Sequence, residues 1–231
     1  MNFELCTDSV EGAKLASQYG FKSIELCSAL GIGGLTPSFG LIKACVDQSN
    51  SEVHVMIRHR EGNFIYDKTD IDLMKIDIAA AKKAGAHGVV FGVLDSDHTI
   101  SDLNQDLVQQ AKKHGLASTC HRAFDFVPDD QVAIKKIVDF GFDRLLTSGL
   151  KEKAEDGIEL IADLYRAYGD LIQIIAGSGV NEENALVFAE AGINYLHFTA
   201  RKSAKASLKL GMGVEMPTDE VKINSILGLF K

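Results

Sequence analysis

Apolar, β-rich runs of four to six residues alternate with longer amphipathic stretches from one end of the chain to the other. The runs predict eight strands, at Phe3–Cys6, Ser23–Cys27, Val53–Arg58, Gly88–Gly92, Ala117–His121, Arg144–Thr147, Leu171–Ala176 and Tyr195–Phe198. The stretches between them carry the three-to-four-residue spacing of a half-buried helix. They predict helices over Ser9–Tyr19, Pro37–Asp47, Thr69–Ala84, Leu103–His114, Asp129–Phe140, Lys153–Tyr168 and Asn181–Ala191, with a last one at Glu220–Leu229. Punctuation supports the helix ends. Asp8 with Glu11 has the spacing of a capping box, and Thr36-Pro37 reads as a cap followed by a first helical residue. Gly20, Gly85, Gly115, Gly141 and Gly192 each stand between a helical stretch and a strand, where a left-handed stop belongs.

This cadence is that of βα units building a parallel sheet. Eight units without a linker predict a single-domain (β/α)8 TIM-type barrel over residues 1–231. The alternative is an open doubly wound sheet. Its dinucleotide-binding form needs a Gly-rich turn after the first strand, and here that strand runs into Cys6-Thr7-Asp8-Ser9. No nucleotide cofactor is expected. A long loop at about 201–218 follows the eighth strand and carries Arg201, Lys202, Lys205 and Lys209. Loops of that length often serve as lids or interface arms.

Composition narrows the function classes. With 46% hydrophobic and 24% charged residues the chain has the make-up of a folded protein. A net charge of -8 gives no general attraction to nucleic acid or to anionic membrane. No window reaches the ~18 apolar residues of a spanning helix. Four cysteines are too few for a disulfide scaffold, and the start Met1-Asn2-Phe3-Glu4 lacks the form of a signal peptide. The expectation is a cytoplasmic protein with reduced thiols, and with neither nucleic acid nor membrane as partner.

In a barrel of this kind, chemistry gathers at the C-terminal ends of the strands. The first two strands both read Glu-Leu-Cys, at Glu4–Cys6 and Glu25–Cys27. Residues two apart share a strand face, so both Glu-Cys sets should point into the lumen. Neighbouring strands lie ~4.8 Å apart, which would let Cys6 and Cys27 meet one metal ion. Cys45 fits ordinary packing, and Cys120, out of phase with His121, should face the helices. A carboxylate inside a barrel needs a partner. For Glu4 and Glu25 the expected partners are Arg58, Arg60 or Arg122. The same three arginines, with Ser148 and His197 at other strand ends, could hold an anionic substrate. Gly177-Ser178-Gly179, read just ahead of a helix, could cradle phosphate. Glu25, His121 and Asp125 are the candidate general acids and bases. Two functions stay open on the residues alone. One is a metal-binding protein. The other is an enzyme of isomerase, aldolase or hydrolase type acting on a small phosphorylated or otherwise anionic metabolite.

The combination of motifs resembles the CutC family of copper homeostasis proteins. The matching pieces are Glu4-Leu5-Cys6, Ile24-Glu25-Leu26-Cys27, Gly33-Gly34-Leu35-Thr36-Pro37-Ser38, Met56-Ile57-Arg58, Gly62-Asn63-Phe64-Ile65-Tyr66, His121-Arg122-Ala123-Phe124-Asp125, Leu146-Thr147-Ser148-Gly149, Ala176-Gly177-Ser178-Gly179 and His197-Phe198-Thr199-Ala200. They run in order over nearly the whole chain. The resemblance implies a TIM-type barrel, a cytoplasmic location, a homodimer and copper handling, with Cu(I) held by Cys6 and Cys27. Two positions depart from the family pattern. His59 stands where a proline is usual, and Cys120 where a phenylalanine is usual.

Overall fold

The computed structural model describes residues 1–202 and 216–231. Strands and helices alternate as β1 (Asn2–Thr7), α1 (Val10–Gln18), β2 (Ser23–Leu26), α2 (Phe39–Gln48), β3 (Glu52–Met56), α3 (Lys68–Ala84), β4 (Gly88–Phe91) and α4 (Leu103–Lys113). They continue with β5 (Ala117–Cys120), α5 (Asp130–Phe140), β6 (Arg144–Thr147), α6 (Ile158–Tyr168), β7 (Gln173–Gly177), α7 (Ala185–Glu190), β8 (Tyr195–Phe198) and α8 (Glu220–Gly228). The strands pair in sequence order, all parallel, and β8 closes on β1. This is the (β/α)8 barrel that the hydrophobic cadence predicts.

Strand alternation divides the interior in two. One set of side chains, including Leu5, Ile24, Leu26, Val53, Val55, Val89 and Phe91, packs against the helices in a continuous core. Cys45 and Cys120 belong to this outer core, as their positions in the pattern predict. Each large apolar side chain fully buried there contributes roughly 1.5–3 kcal/mol. The opposite set points into the lumen. Two small apolar clusters fill part of it, one of Cys6, Cys27, Met56 and Val90, the other of Leu146, Ile175 and Tyr195. The remaining lumen positions are polar and form the candidate site.

All five predicted helix-stop glycines adopt positive φ, between 63° and 97°. The first two caps differ from expectation. Ser9, not Asp8, is extended and accepts from the Gly12 amide at 3.0 Å. Ser38 caps α2 by accepting from the Leu41 amide, because the Thr36 hydroxyl is used elsewhere, accepting from the Arg58 amide at 2.9 Å. α6 starts at Ile158 rather than Lys153, behind a 3-10 turn at Ala154–Gly157, and α7 starts at Ala185 rather than Asn181. There the Asn184 side chain takes the Asn181 amide and the Gly179 carbonyl, so an Asn-built turn replaces the first helical turn. Of the predicted 201–218 loop, residues 203–215 lie outside the described residues. The flanks meet in an antiparallel bridge between Arg201 and Thr218.

Candidate functional site

The twin Glu-Leu-Cys tripeptides lie side by side, but the register staggers them. Glu4 is level with Ser23, and Cys6 is level with Glu25. The second copy therefore sits one lumen layer higher than the first, and its Cys27 is just beyond the end of β2. The stagger gives the two glutamates different neighbours.

Glu4 lies in the lower layer. Arg144 of β6 reaches across the lumen to it at 2.7 Å, and the Ser23 hydroxyl donates to the same carboxylate oxygen at 2.6 Å. His197 Nδ1 meets the other oxygen at 3.0 Å. The Arg144 guanidinium also donates to Gln173 and lies over the Tyr195 ring. Burial alone would raise the Glu4 carboxyl, but Arg144 and His197 outweigh it and hold it well below the usual carboxylate range. The predicted ion-pair partners were Arg58, Arg60 or Arg122, so Arg144 is a correction. The signal was present in the pattern: Arg144 opens an otherwise apolar strand in phase with Leu146 and Ser148, and so points inward.

Glu25 lies in the upper layer with the sulfurs. Its Oε2 is 3.3 Å from Cys6 Sγ and 3.6 Å from Cys27 Sγ, and among the described residues the buried Oε1 has no partner. Among the described residues the nearest cation is His197, whose Nε2 is 3.8 Å away. Burial, reinforced by the neighbouring Cys6, pushes the Glu25 carboxyl up to about 8, so it holds a proton at neutral pH. The Cys27 thiol donates toward Cys6 and drives that thiol well down, against the effect of burial, with His197 adding to the shift. Cys27 itself is driven up by the same contact and by burial. Burial would lower the His197 imidazole, but the acidic groups around it, Glu25, Cys6 and Glu4, drive it well above the usual range. Two sulfurs, a carboxyl and an imidazole, each shifted by the others, thus meet in one layer. One ligand atom each from Cys6, Glu25 and Cys27 lie within 4.8 Å of one another, close enough to share an ion. Two soft sulfurs make this set suit Cu(I) better than a hard dication.

The loop after β2 closes over this set. Gly34 sits at φ +87°, and a Cβ there would stand 3.0 Å from Cys27 Sγ. The Gly-Gly-Leu-Thr-Pro-Ser block thus has a physical reason: bare backbone must pass against the thiol. Arg58 ties the loop down by donating to the carbonyls of Ile32, Gly34 and Gly62.

Above the sulfurs opens a cavity of about 430 Å³. Among the predicted site residues, Cys6, Glu25, Arg58, His121, Arg122, Ser178, Gly179 and His197 line it, with Leu30, Met56 and Phe64 among the apolar walls. Other predicted residues do not reach it. Arg60 turns outward, donating to the Ile65 carbonyl and lying over Tyr66, beside Asp70. His59 is held by Asp70 at 2.8 Å, so this departure from the family pattern serves a contact to α3 rather than the cup. Asp125 is almost fully buried, accepting from Thr147, the Ser148 amide and hydroxyl, and Arg122. The Ser148 hydroxyl is spent in the same network. Ser178 also bonds within the protein, accepting from Arg122 and donating to the Glu152 carbonyl. Gly177 lies in β7, and the Gly-Ser-Gly turn is separated from the short α7. It therefore does not open a helix, which was the basis for the predicted phosphate cradle. His121 stacks on Phe64 and accepts the Ala123 amide at Nδ1, leaving the proton on Nε2. Burial, with Arg58 nearby, pushes it down to about 3. It is a neutral hydrogen-bond donor at neutral pH rather than a base.

Comparison with known proteins bears on the family and the fold. The model of the CutC family matches residues 1–202. A family protein CutC of Aliivibrio fischeri is 41% identical over 219 residues, covering 94% of this chain and 89% of its own length. One from Bacteroides thetaiotaomicron is 39% identical over 230 residues, covering 96% of this chain and 92% of its own. A crystal structure from Streptococcus agalactiae, described as a candidate copper homeostasis protein CutC, superposes with a TM-score of 0.79 at 30% identity. It covers 85% of this chain and 97% of that one.

Proposed function

The chain belongs to the CutC family of copper homeostasis proteins, and from that premise we propose that it is a cytoplasmic Cu(I)-binding protein whose ligands are Cys6 and Cys27. The observation that carries this reading is the convergence of both buried sulfurs on one carboxyl group in the lumen. Cu(I) bound to both sulfurs displaces the Cys27 proton, so affinity rises with pH. Glu25 and His197 set the proton balance: the imidazolium offsets the charge of two thiolates around one monovalent ion. Four free cysteines suit a reducing compartment. Among the described residues, no helix is long and apolar enough to cross a membrane. A homodimer belongs to the same proposal, and light scattering tests it.

The test is an anaerobic titration of Cu(I) against a chromophoric competitor, using wild type and the Cys6→Ser, Cys27→Ser double variant. The reading expects one tightly held ion per wild-type chain and none in the variant. Equal stoichiometry and affinity in the two proteins overturn it.

A second reading rests on a different observation. The cavity is larger than one ion requires. Arg58 lines it buried, and among the described residues it donates to no carboxylate; its Nε is without a partner. On this reading the cup takes a small anionic metabolite, recognised by Arg58 and the His121 Nε2–H, as an enzyme substrate or as a regulator. Thermal shift with inorganic phosphate and with small carboxylates tests it. A rise in Tm with either, lost in Arg58→Gln, supports this reading; no rise with any of them removes it.

A further inference from the structure

We propose that Met56 is the third sulfur ligand of the Cu(I) site, which makes it a two-thiolate, one-thioether centre. This inference rests on the copper reading above and adds to it a residue that is neither cysteine nor acid.

The register brings Met56 to the site. Leu26 pairs with Val55, so Met56, the next residue of β3, stands beside Cys27 on the neighbouring strand. Its side chain shares the lumen face with those of Cys6 and Cys27, and the three pack with Val90 into one buried cluster. Met56 also lines the cavity together with Cys6 and Glu25. The chain has four cysteines and five methionines. Three of these nine sulfur side chains meet in this four-residue cluster, while Cys45, Cys120 and Met74 lie in the core between strands and helices.

The chemistry favours the thioether over the other groups within reach. Cu(I) prefers soft donors, and a thioether adds a soft donor without adding charge to a buried site. Glu25 offers only hard oxygens, and its Oε2 is already engaged by both sulfurs. His197 is fixed through Nδ1 to Glu4 at 3.0 Å. Methionine is unbranched and turns freely about its side-chain bonds, so its sulfur can swing onto an ion without moving the backbone. The bland alternative is that Met56 only fills space, as methionines in cores often do. Met56→Leu separates the two, because leucine keeps the volume and removes the sulfur.

The experiment uses full-length protein loaded anaerobically with one equivalent of Cu(I). Copper-edge X-ray absorption on selenomethionine-labelled wild type is expected to show selenium in the first coordination shell alongside two sulfurs. The labelled Met56→Leu protein is expected to lack the selenium and to bind Cu(I) on the order of tenfold more weakly in the competitor titration. Circular dichroism and urea unfolding confirm that the variant is folded. A shell of two sulfurs without selenium in wild type, with unchanged affinity in folded Met56→Leu, overturns the third ligand while leaving the cysteine pair standing. Absence of Cu(I) binding by wild type itself overturns the copper reading and the third ligand together.

Discussion

The two Glu-Leu-Cys strands are the most informative comparison in the molecule. The tripeptides are identical, both are buried, and they lie on adjacent strands. Glu4 is nevertheless a saturated carboxylate, bound by Arg144, Ser23 and His197. Glu25 is a proton-bearing group among sulfurs with one oxygen unsatisfied. The cause is the barrel's stagger, which sets Glu4 level with Ser23 and Cys6 level with Glu25. Below, both oxygens of the carboxylate are taken, which is what a structural ion pair needs. Above, valences are left over, which is what a binding site needs. Burial alone does not distinguish the two glutamates; the count of partners does.

The largest expected effect breaks the lower pair. Arg144→Met leaves a buried carboxylate uncompensated and should cost about 3–5 kcal/mol in urea unfolding. Glu25→Gln replaces one neutral group by another of the same shape and should not destabilise the fold at neutral pH. Equal losses in the two variants would mean that the layers do not differ as described.

The closing loop comes next. Gly34→Ala places a Cβ in a left-handed backbone position against Cys27, for about 1–2 kcal/mol of destabilisation. Cu(I) affinity should fall with it, read in the same competitor titration. A variant that loses stability yet keeps full affinity would separate the loop from the metal site.

The pH profiles should run in opposite directions. The Glu4 carboxyl is lowered on folding. Its contribution is therefore present above the ordinary carboxylate value of about 4.3 and is lost as pH falls below it, so Glu4→Gln should flatten the acid limb of the stability curve. The Glu25 carboxyl is raised on folding, to about 8. Its contribution is present below about 4.3 and is lost as pH climbs toward 8. Glu25→Gln should gain on wild type across that window. Parallel profiles for the two variants contradict the comparison.

The smallest effects belong to the other cysteines. Cys45 and Cys120 pack in the outer core, where burial pushes the Cys45 thiol up to about 11. Cys45→Ala and Cys120→Ala should each cost on the order of 1 kcal/mol and leave copper stoichiometry unchanged. Loss of copper from either would extend the site beyond the lumen.

Much of this was legible in the sequence. Period-2 alternation placed Cys6, Glu25 and Cys27 on one face and sent Cys120 to the other. The helix-glycine-strand cadence gave the barrel. Register between strands was not legible, because a repeat in sequence says nothing about how two strands slide past each other. The level of each glutamate, and its pairing with a residue 140 positions away, depend on that slide. Asp125 and Arg60 were misjudged for a related reason. Both follow strand ends, but Asp125 folds back under the Thr147–Leu150 turn and Arg60 swings out to Asp70. A list of polar strand-end residues does not carry those local turns.

The central claim is that Cys6 and Cys27 hold one Cu(I) in the upper lumen layer. Crystals grown anaerobically with one equivalent of Cu(I) test it through an anomalous difference map at the copper edge. The account predicts a single peak within bonding distance of both sulfurs, beside Glu25. A peak elsewhere, with the two sulfurs free of metal, would contradict it.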